Sequence, residues 1–215
     1  MRVDLLTNFD FLKVMEYNAA YAMLICHANT DRLQEERAEN FIKKAISMHH
    51  DSILEHITLT YAVYGLSRAC LQELSRHRHI SLSVESTRHT LREKMKNFDT
   101  NSNWDIPGNV DIFDTPYRCP SCNTKLYNVS SYMALIKDYL TEYDYSNDEV
   151  KYLLPEFWPT NLVLTANVRE LRHIISLRTA PAALKEFQDL AREFVNVLPE
   201  RFKYLLEDCV YVDKK

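Results

Sequence analysis

Glycine is nearly absent from this chain, and its absence limits how the chain can bind phosphate. Only Gly65 and Gly108 occur among 215 residues. A dinucleotide-binding GxGxxG turn or a Walker loop needs several glycines to bring backbone amides against phosphate oxygens. Neither motif fits this sequence, so any phosphate must be held mainly by side chains. Arginine suits that role best, because its planar guanidinium pairs bidentately with phosphate oxygens.

Composition predicts one ordinary globular domain. Hydrophobic residues make up 46% of the chain and charged residues 26%, and the formal net charge of -4 argues against a broad basic surface for nucleic acid. The sequence has no apolar run of membrane-spanning length, and its start, MRVDLLTNFDF, lacks the basic and apolar regions of a signal peptide. The five cysteines are odd in number and mostly scattered, which favours a reducing compartment. We therefore predict a cytoplasmic protein.

The residue pattern predicts an α/β protein of the α+β type, in which helices flank a central antiparallel or mixed sheet. Runs of β-branched and aromatic residues predict strands near residues 2–7, 57–64 and 160–168. Helical spacing predicts helices at 9–25, from about 31, at 67–78, 130–143, 148–156 and 167–178, and from Pro181 onward. Residues 81–91 have the pattern of an extended segment. The elements interleave without a regular βαβ rhythm, so we expect one domain over residues 1–215, with a loop-like insertion at about 98–128.

The segment ELSRHRHISLSVESTRHTLREK, residues 73–94, concentrates positive charge in a net-negative chain. Its cationic and imidazole side chains are Arg76, His77, Arg78, His79, Arg88, His89, Arg92 and Lys94. Like charges this close repel one another unless an anion lies among them. We therefore expect this segment to bind a small anionic ligand.

A second basic segment, NVRELRHIISLR at residues 167–178, has helical spacing. On a helix Arg169 and His173 share one face, whereas the apolar residues between them face the core. Arg178 falls in the last turn, where an arginine commonly does no more than complement the negative end of the helix dipole. That structural interpretation does not account for Arg169, which lies near the helix start.

A metal-dependent phosphohydrolase fits one other segment, HHDSILEH at residues 49–56. Its candidate ligands are His49, His50, Asp51 and His56. Imidazole and carboxylate groups suit zinc, manganese or iron. A helix end whose histidines make hydrogen bonds explains the same residues with fewer assumptions, and we favour it.

The motif CPSC suggests a nucleic-acid-binding module with a zinc knuckle. Cys119 and Cys122 supply half of the four ligands that such a site needs. The sequence has no second closely spaced cysteine pair, so we predict that the chain holds no metal.

Four blocks of the sequence resemble motifs of one enzyme family. RHRHISLSVESTRH resembles the signature RHRxxSxNExSxRY, and its residues in register are Arg76, His77, Arg78, Ser81, Ser86 and Arg88. An upstream block resembles HxSxxEH through His50, Ser52, Glu55 and His56. NVRELRHIISLR resembles NxRxLxxFxxLR, and KYLLPE resembles the short block that precedes it. Together and in this order, the blocks resemble those of the flavin-dependent thymidylate synthases.

Five positions depart from the family pattern. Val84 stands where the signature has glutamate, Ser83 where it has asparagine, and His89 where it has tyrosine. Lys151 replaces a common nucleotide-binding arginine, and His173 stands where asparagine often contacts the flavin. Lysine still holds phosphate as a point charge. Val84 offers no carboxylate and His89 no phenol, so contacts at these two positions must differ.

The resemblance implies a homotetramer built around an antiparallel sheet, with FAD and dUMP at subunit interfaces. The implied reaction converts dUMP to dTMP, taking a methylene group from methylenetetrahydrofolate and reducing equivalents from NADPH through FAD. It implies no nucleic-acid or membrane partner.

The resemblance also implies roles for particular side chains. The implied FAD ligands are Ser52, Arg76, His77, Arg78, Val84, Asn167, Arg169 and His173. The implied dUMP ligands are Glu73, Arg76, Ser86, Arg88, Lys151 and Arg178. Arg178 is the implied catalytic residue, because a fixed guanidinium stabilises charge on the pyrimidine. Ser86 has no neighbouring base in the sequence, so we expect it to hydrogen-bond the substrate rather than to act as a nucleophile.

Overall fold

A computed structural model describes residues 1–26, 28–98 and 129–212. They belong to two compact units, the first drawn from residues 1–66, 70–84 and 160 onward, the second from 67–69 and 85–159. The single domain predicted from the sequence stays a prediction. Apart from Phe98, the predicted insertion at about 98–128, with Cys119 and Cys122, lies outside the described residues.

Helices and strands follow one another irregularly along the chain. The strands are β1 (Arg2–Leu5), β2 (Thr58–Ser67), β3 (Ile80–Val84) and β4 (Pro159–Asn167). The α-helices are α1 (Phe9–Ile25), α2 (Ala38–Ser47), α3 (Arg68–Leu74), α4 (Thr87–Lys96), α5 (Val129–Thr141), α6 (Asn147–Val150), α7 (Val168–Arg178) and α8 (Lys185–Asn196). Short 3-10 helices cover Thr30–Arg32, Glu35–Arg37, Asp51–His56, Lys151–Leu153, Glu200–Leu205 and Glu207–Cys209. No described helix is long and apolar enough to cross a membrane.

The four described strands form one sheet in the order β1-β2-β4-β3. β1 runs antiparallel to β2, and β3 runs antiparallel to β4. The hydroxyl oxygens of Thr60 and Thr165 lie 3.0 Å apart, and the Gly65 N–H donates to the Asn161 side chain at 3.1 Å, so β2 and β4 are antiparallel as well. The predicted mixture of helices with a central antiparallel sheet is confirmed.

The core of the first unit covers one face of the sheet. Alternate residues of β4 are buried, and they are Thr160, Leu162, Leu164 and Ala166. Strand β2 buries Leu59, Tyr61 and Val63 in the same core, and its Ala62 is buried as well. Phe187 and Phe194 of α8 are fully buried in the same core. The Tyr61 hydroxyl donates to the Phe194 carbonyl oxygen at 3.1 Å, so this buried polar group is satisfied.

The second unit has a separate core around α4 and α5. Its buried members are Leu91, Met95, Met133, Ile136, Leu140, Val150 and Trp158. Arg92 of α4 donates to Asp144 Oδ1 at 2.6 Å and to the Tyr145 carbonyl oxygen at 2.8 Å. Asn147 accepts from the Arg92 N–H and donates to the Arg88 carbonyl oxygen. These bonds fasten the segment that follows α5 to helix α4.

The extended segment predicted over residues 81–91 is wrong beyond Val84. Helix α4 begins at Thr87, and Leu91 and Met95 are buried one turn apart on it. The rest of this helix is strongly polar, so two apolar residues gave too weak a helical period for the sequence to reveal.

Four predicted helix boundaries are also wrong. The helix predicted over 148–156 ends at Val150, and a 3-10 turn over Lys151–Leu153 follows it. The helix predicted over 67–78 ends at Leu74, which leaves the RHR residues in a turn. The helix predicted from about residue 31 begins at Ala38, because Thr30–Arg32 and Glu35–Arg37 form separate 3-10 turns. The last α-helix begins at Lys185 rather than Pro181, because Leu184 at its N-cap is not helical.

Candidate functional site

A polar stripe runs along one side of α7. Asn167 begins the helix, and its Oδ1 accepts a hydrogen bond from the Glu170 N–H at 2.9 Å. Residues spaced i, i+3, i+4 and i+7 line a cleft of about 730 Å³, and they are Arg169, Arg172, His173 and Ser176. The opposite side of the helix is buried in the core, as predicted. The sequence prediction included Arg169 and His173 but missed Arg172 and Ser176, although the same spacing would have indicated both.

A second cleft of about 500 Å³ adjoins the first. Both clefts are lined by His49, Asp51 and Arg169. Ser52 lines the second cleft, and Asn167, Arg169 and His173 line the first. Four of the eight predicted FAD ligands therefore surround this pair of clefts.

Arg169 is held at the cleft by an exposed ion pair. Its Nη1 lies 2.5 Å from Glu55 Oε1, and both side chains are about half exposed. An exposed pair of this kind contributes little free energy. Arg169 can therefore exchange Glu55 for an anionic ligand at small cost.

Arg172 has a different role, because its guanidinium already has strong partners. It donates to both oxygens of Asp208 at 2.6 and 2.7 Å and to the Leu205 carbonyl oxygen at 2.7 Å. This bidentate pair holds the 3-10 helix Glu207–Cys209, and Cys209 forms one wall of the cleft. Burial raises the pKa of the Cys209 thiol to about 11, so the thiol is protonated.

Arg178, the last residue of α7, is fixed on three sides. Its Nε donates to His77 Nε2 at 3.0 Å, and its Nη1 donates to Glu73 Oε2 at 2.9 Å. The guanidinium carbon lies 4.7 Å from the centre of the Phe187 ring, which covers one face of the cation. Nothing in the sequence indicated Phe187 as part of this arrangement.

His77 is the buried member of the RHR turn, with 7% of its surface exposed. Burial, reinforced by the neighbouring Arg178 cation, lowers the pKa of His77 to about 4, so the imidazole is neutral near pH 7. Because Nε2 accepts the bond from Arg178, the ring proton lies on Nδ1, 3.7 Å from Glu170 Oε1. The ring therefore orients Arg178 without adding a charge.

The remaining predicted ligands of the first unit are spread along the sheet edge. Arg76 and Arg78 are exposed on either side of His77, in the turn between α3 and β3. Val84 ends β3 with 40% of its surface exposed. The structure thus brings Glu73, His77 and Arg178 into direct contact and leaves the two flanking arginines open to solvent.

In the second unit two predicted dUMP ligands converge on one carboxylate. Asp148 Oδ2 lies 2.8 Å from Arg88 Nε, and Asp148 Oδ1 accepts from Lys151 Nζ at 2.9 Å. The bond from Lys151, together with the charge of Arg88, holds the pKa of Asp148 below its usual range. Ser86 is exposed immediately before α4, and His89 is exposed on the first turn of that helix.

The histidine-rich segment considered for a phosphohydrolase lies at the edge of the clefts. His49 and His50 follow α2 and are exposed, as is His56. Within residues 1–26, 28–98 and 129–212, no group of three or more His, Cys, Asp or Glu side chains is arranged to hold a metal ion.

Comparison with known proteins assigns the chain to a family. Residues 10–202 match the family model described as thymidylate synthase complementing protein. A flavin-dependent thymidylate synthase of Helicobacter pylori (strain ATCC 700392 / 26695) is 39% identical over 166 residues, which cover 75% of this chain and 76% of that protein. A protein of the same name from Campylobacter jejuni (strain RM1221) is 35% identical over 196 residues, covering 87% of this chain and 85% of the relative.

A solved structure has the same fold. The crystal structure of Thymidylate Synthase X from Helicobacter pylori with FAD and dUMP is 30% identical, with a TM-score of 0.78, and covers 98% of this chain and 99% of that one. A second crystal structure from the same organism, also complexed with FAD and dUMP, gives a TM-score of 0.79 at 29% identity. The family match and these relatives agree with the sequence motifs, and the chain belongs to the flavin-dependent thymidylate synthase family.

Proposed function

We propose that this chain catalyses the reductive methylation of dUMP to dTMP, with methylenetetrahydrofolate as carbon donor and NADPH as reductant. FAD, when bound, supplies the hydride-transfer chemistry. The observation that carries the proposal is the fixed guanidinium of Arg178, at the end of the same helix whose polar stripe lines the cleft. Relatives at 35% and 39% identity that are named for this activity support it.

We assign Arg178 to the pyrimidine of dUMP. Carbon 5 of uracil is a weak nucleophile, and positive charge beside the ring stabilises the negative charge that develops as the N3 proton is withdrawn. Hydrogen bonds to His77 and Glu73 occupy Nε and Nη1, so the guanidinium needs little reorganisation when the substrate binds. Among the described residues Nη2 has no hydrogen-bond partner, and it is the donor that we assign to the pyrimidine.

We assign FAD to the paired clefts, and the polar groups that line them support this assignment. Ser52, Asn167, Arg169 and His173 lie around them, and the N-terminus of α7 favours a phosphate there. Arg76, Arg78 and Val84 complete the proposed set of ligands. For His77, burial and the bond to Arg178 favour an indirect role over direct contact with the flavin.

We assign Arg88 and Lys151 to the phosphate of dUMP, with Arg76 and Ser86 as further ligands and Glu73 near the pyrimidine. Two cations on one carboxylate leave a net positive charge at Arg88, Lys151 and Asp148. Lysine in place of the more usual arginine keeps that charge but loses the bidentate geometry.

We propose that the chain assembles as a homotetramer with active sites at subunit interfaces. The first helix supports this, because four of its apolar side chains are exposed on one face: Phe11 59%, Val14 52%, Tyr21 43% and Ile25 57%. A second copy of the chain would cover them. Light scattering on the purified protein tests the assembly, and a monomer at micromolar concentration would contradict it.

A cytoplasmic location is part of the same proposal. The three cysteines within the described residues, Cys26, Cys70 and Cys209, form no disulfide. Free thiols are typical of a reducing compartment. Fractionation of the source cells with an antibody against the chain tests this location.

The test of the proposed function is spectroscopic and kinetic. Purified protein should carry FAD and should oxidise NADPH faster when dUMP is present, because the nucleotide completes the pocket beside the flavin. Deoxyuridine, which lacks the phosphate, is the matched control and should stimulate NADPH oxidation only slightly. A colourless protein that cannot be reconstituted with FAD would contradict the proposal.

A further inference from the structure

Asp148 joins the two cations that the proposed function assigns to phosphate. Arg88 reaches it from α4, and Lys151 reaches it from the 3-10 helix that follows α6. The carboxylate offers one oxygen to each cation, at 2.8 Å to Arg88 Nε and 2.9 Å to Lys151 Nζ. The Asp148 side chain is 38% exposed, so water can reach the cluster.

A purely structural explanation is that Asp148 links α4 to the segment after α5. That link already exists without Asp148. Arg92, one turn along α4 from Arg88, binds Asp144 and the Tyr145 carbonyl oxygen. Asn147 binds the backbone at Arg88 and at Arg92. Asp148 therefore adds little to the docking of this segment, and a different role has to account for its position between two cations.

We propose that Asp148 competes with the substrate phosphate for Arg88 and Lys151 and thereby sets the affinity of the site for nucleotides. The inference rests on the proposed function, which assigns both cations to dUMP. A phosphate monoester carries a charge of about −1.5 to −2 at pH 7 and three acceptor oxygens, against one charge and two oxygens for the carboxylate. The phosphate therefore displaces Asp148, and the partly exposed carboxylate rotates toward the solvent.

The same competition acts on the product. dTMP carries the same phosphate as dUMP, so a site without an internal competitor would retain the product more tightly. Asp148 therefore lowers the affinity for both nucleotides and favours release of dTMP, while it leaves ligands without a phosphate unaffected. A ligand with a single negative charge should gain little binding free energy when it displaces Asp148, because one single charge then replaces another.

The experiment compares dissociation constants of the FAD-loaded protein for dUMP, dTMP and deoxyuridine by isothermal titration calorimetry. Asp148→Asn and Asp148→Ser should each bind dUMP and dTMP about three- to tenfold more tightly than the unaltered protein, the range expected for loss of two exposed ion pairs. Affinity for deoxyuridine should stay within twofold. Asp144→Asn, which removes a carboxylate from Arg92 on the same helix, is the matched control and should leave dUMP affinity within twofold.

Unchanged or weaker dUMP binding in both Asp148 variants, at an unchanged thermal midpoint, would overturn the inference and return Asp148 to a structural role. Two variants are used so that poor folding of one does not decide the result. If the unaltered FAD-loaded protein does not bind dUMP at all, the proposed function fails as well. Binding by the unaltered protein with no gain in the variants defeats only this inference.

Discussion

The Arg178 side chain donates from Nε to Nε2 of His77 across 3.0 Å, although 101 residues separate them in the sequence. Because His77 is neutral and buried, it fixes the direction of the guanidinium without sharing its charge. Glu73 and Phe187 hold the same group at a second nitrogen and over one face. The positive charge at the end of α7 is thus held in one orientation before any ligand binds.

Arg178→Lys distinguishes catalysis from a helix-end role. Lysine keeps the charge but loses the planar fork and its directed hydrogen bonds, so dTMP turnover should fall on the order of a hundredfold or more. If Arg178 only complements the helix dipole, this substitution should lower the free energy of unfolding by a few tenths of a kcal/mol. The measurement compares turnover with thermal midpoint and FAD content in one preparation. Near-normal turnover would return Arg178 to the structural interpretation.

His77→Gln and His77→Phe test whether the imidazole acts through Arg178. Glutamine keeps an acceptor for the Arg178 Nε–H, whereas phenylalanine removes it while filling similar space beside Phe187. We expect turnover to fall on the order of tenfold or more in the phenylalanine variant and to be largely retained in the glutamine variant. FAD content, read from flavin absorbance, should be similar in both. Loss of flavin from both variants would instead indicate direct contact with the cofactor.

Acid should destabilise the protein through His77. The unfolded chain protonates this histidine near pH 6.5, whereas the folded-state pKa is about 4, so the unfolded state binds more protons between these values. The stability that His77 contributes is therefore fully present above about pH 6.5 and is lost as pH falls toward 4. The free energy of unfolding should drop more steeply over this window in the unaltered protein than in His77→Phe. If the free energy of unfolding falls with the same slope in both proteins over this pH window, the assignment of this acid sensitivity to His77 is contradicted.

Glu16 stabilises the fold rather than the site. It is 1% exposed, and it accepts from the Tyr204 hydroxyl at 2.5 Å and from Arg201 Nη2 at 2.7 Å. Glu16→Ala leaves the Tyr204 hydroxyl without its acceptor and Arg201 with its longer contact to Glu39. It should lower the free energy of unfolding by about 3 kcal/mol, measured by urea denaturation. Glu39→Ala removes a more exposed carboxylate that also pairs with Arg201 and should cost about 1 kcal/mol or less. An equal loss of unfolding free energy in the two variants would show that burial of Glu16 adds nothing to its contribution to stability.

Most helices and strands could be predicted because their apolar residues recur at the spacing typical of a helix or of a strand. Strand β2 is β-branched and aromatic, and α7 alternates polar and apolar residues at helical spacing. Helix α4 was missed because only Leu91 and Met95 mark its buried side.

The candidate site was predicted as a set of residues but not as an arrangement. The sequence indicated Arg178, His77 and Glu73, yet it could not show that His77 turns inward while Arg76 and Arg78 remain exposed. That choice depends on packing against Phe187, which is distant in the sequence. The pairing of Asp148 with Arg88 and Lys151 likewise depends on how α4 packs beside the segment after α5.

Transfer of an isotopic label tests the proposed reaction most directly. The FAD-loaded protein is incubated with dUMP, NADPH and methylenetetrahydrofolate labelled with ¹⁴C in its methylene group. We expect the label to appear in the methyl group of dTMP, only when NADPH and dUMP are both present, and at a rate at least a hundredfold lower with Arg178→Lys. Protein that binds FAD and dUMP but forms no labelled dTMP would contradict the proposed function.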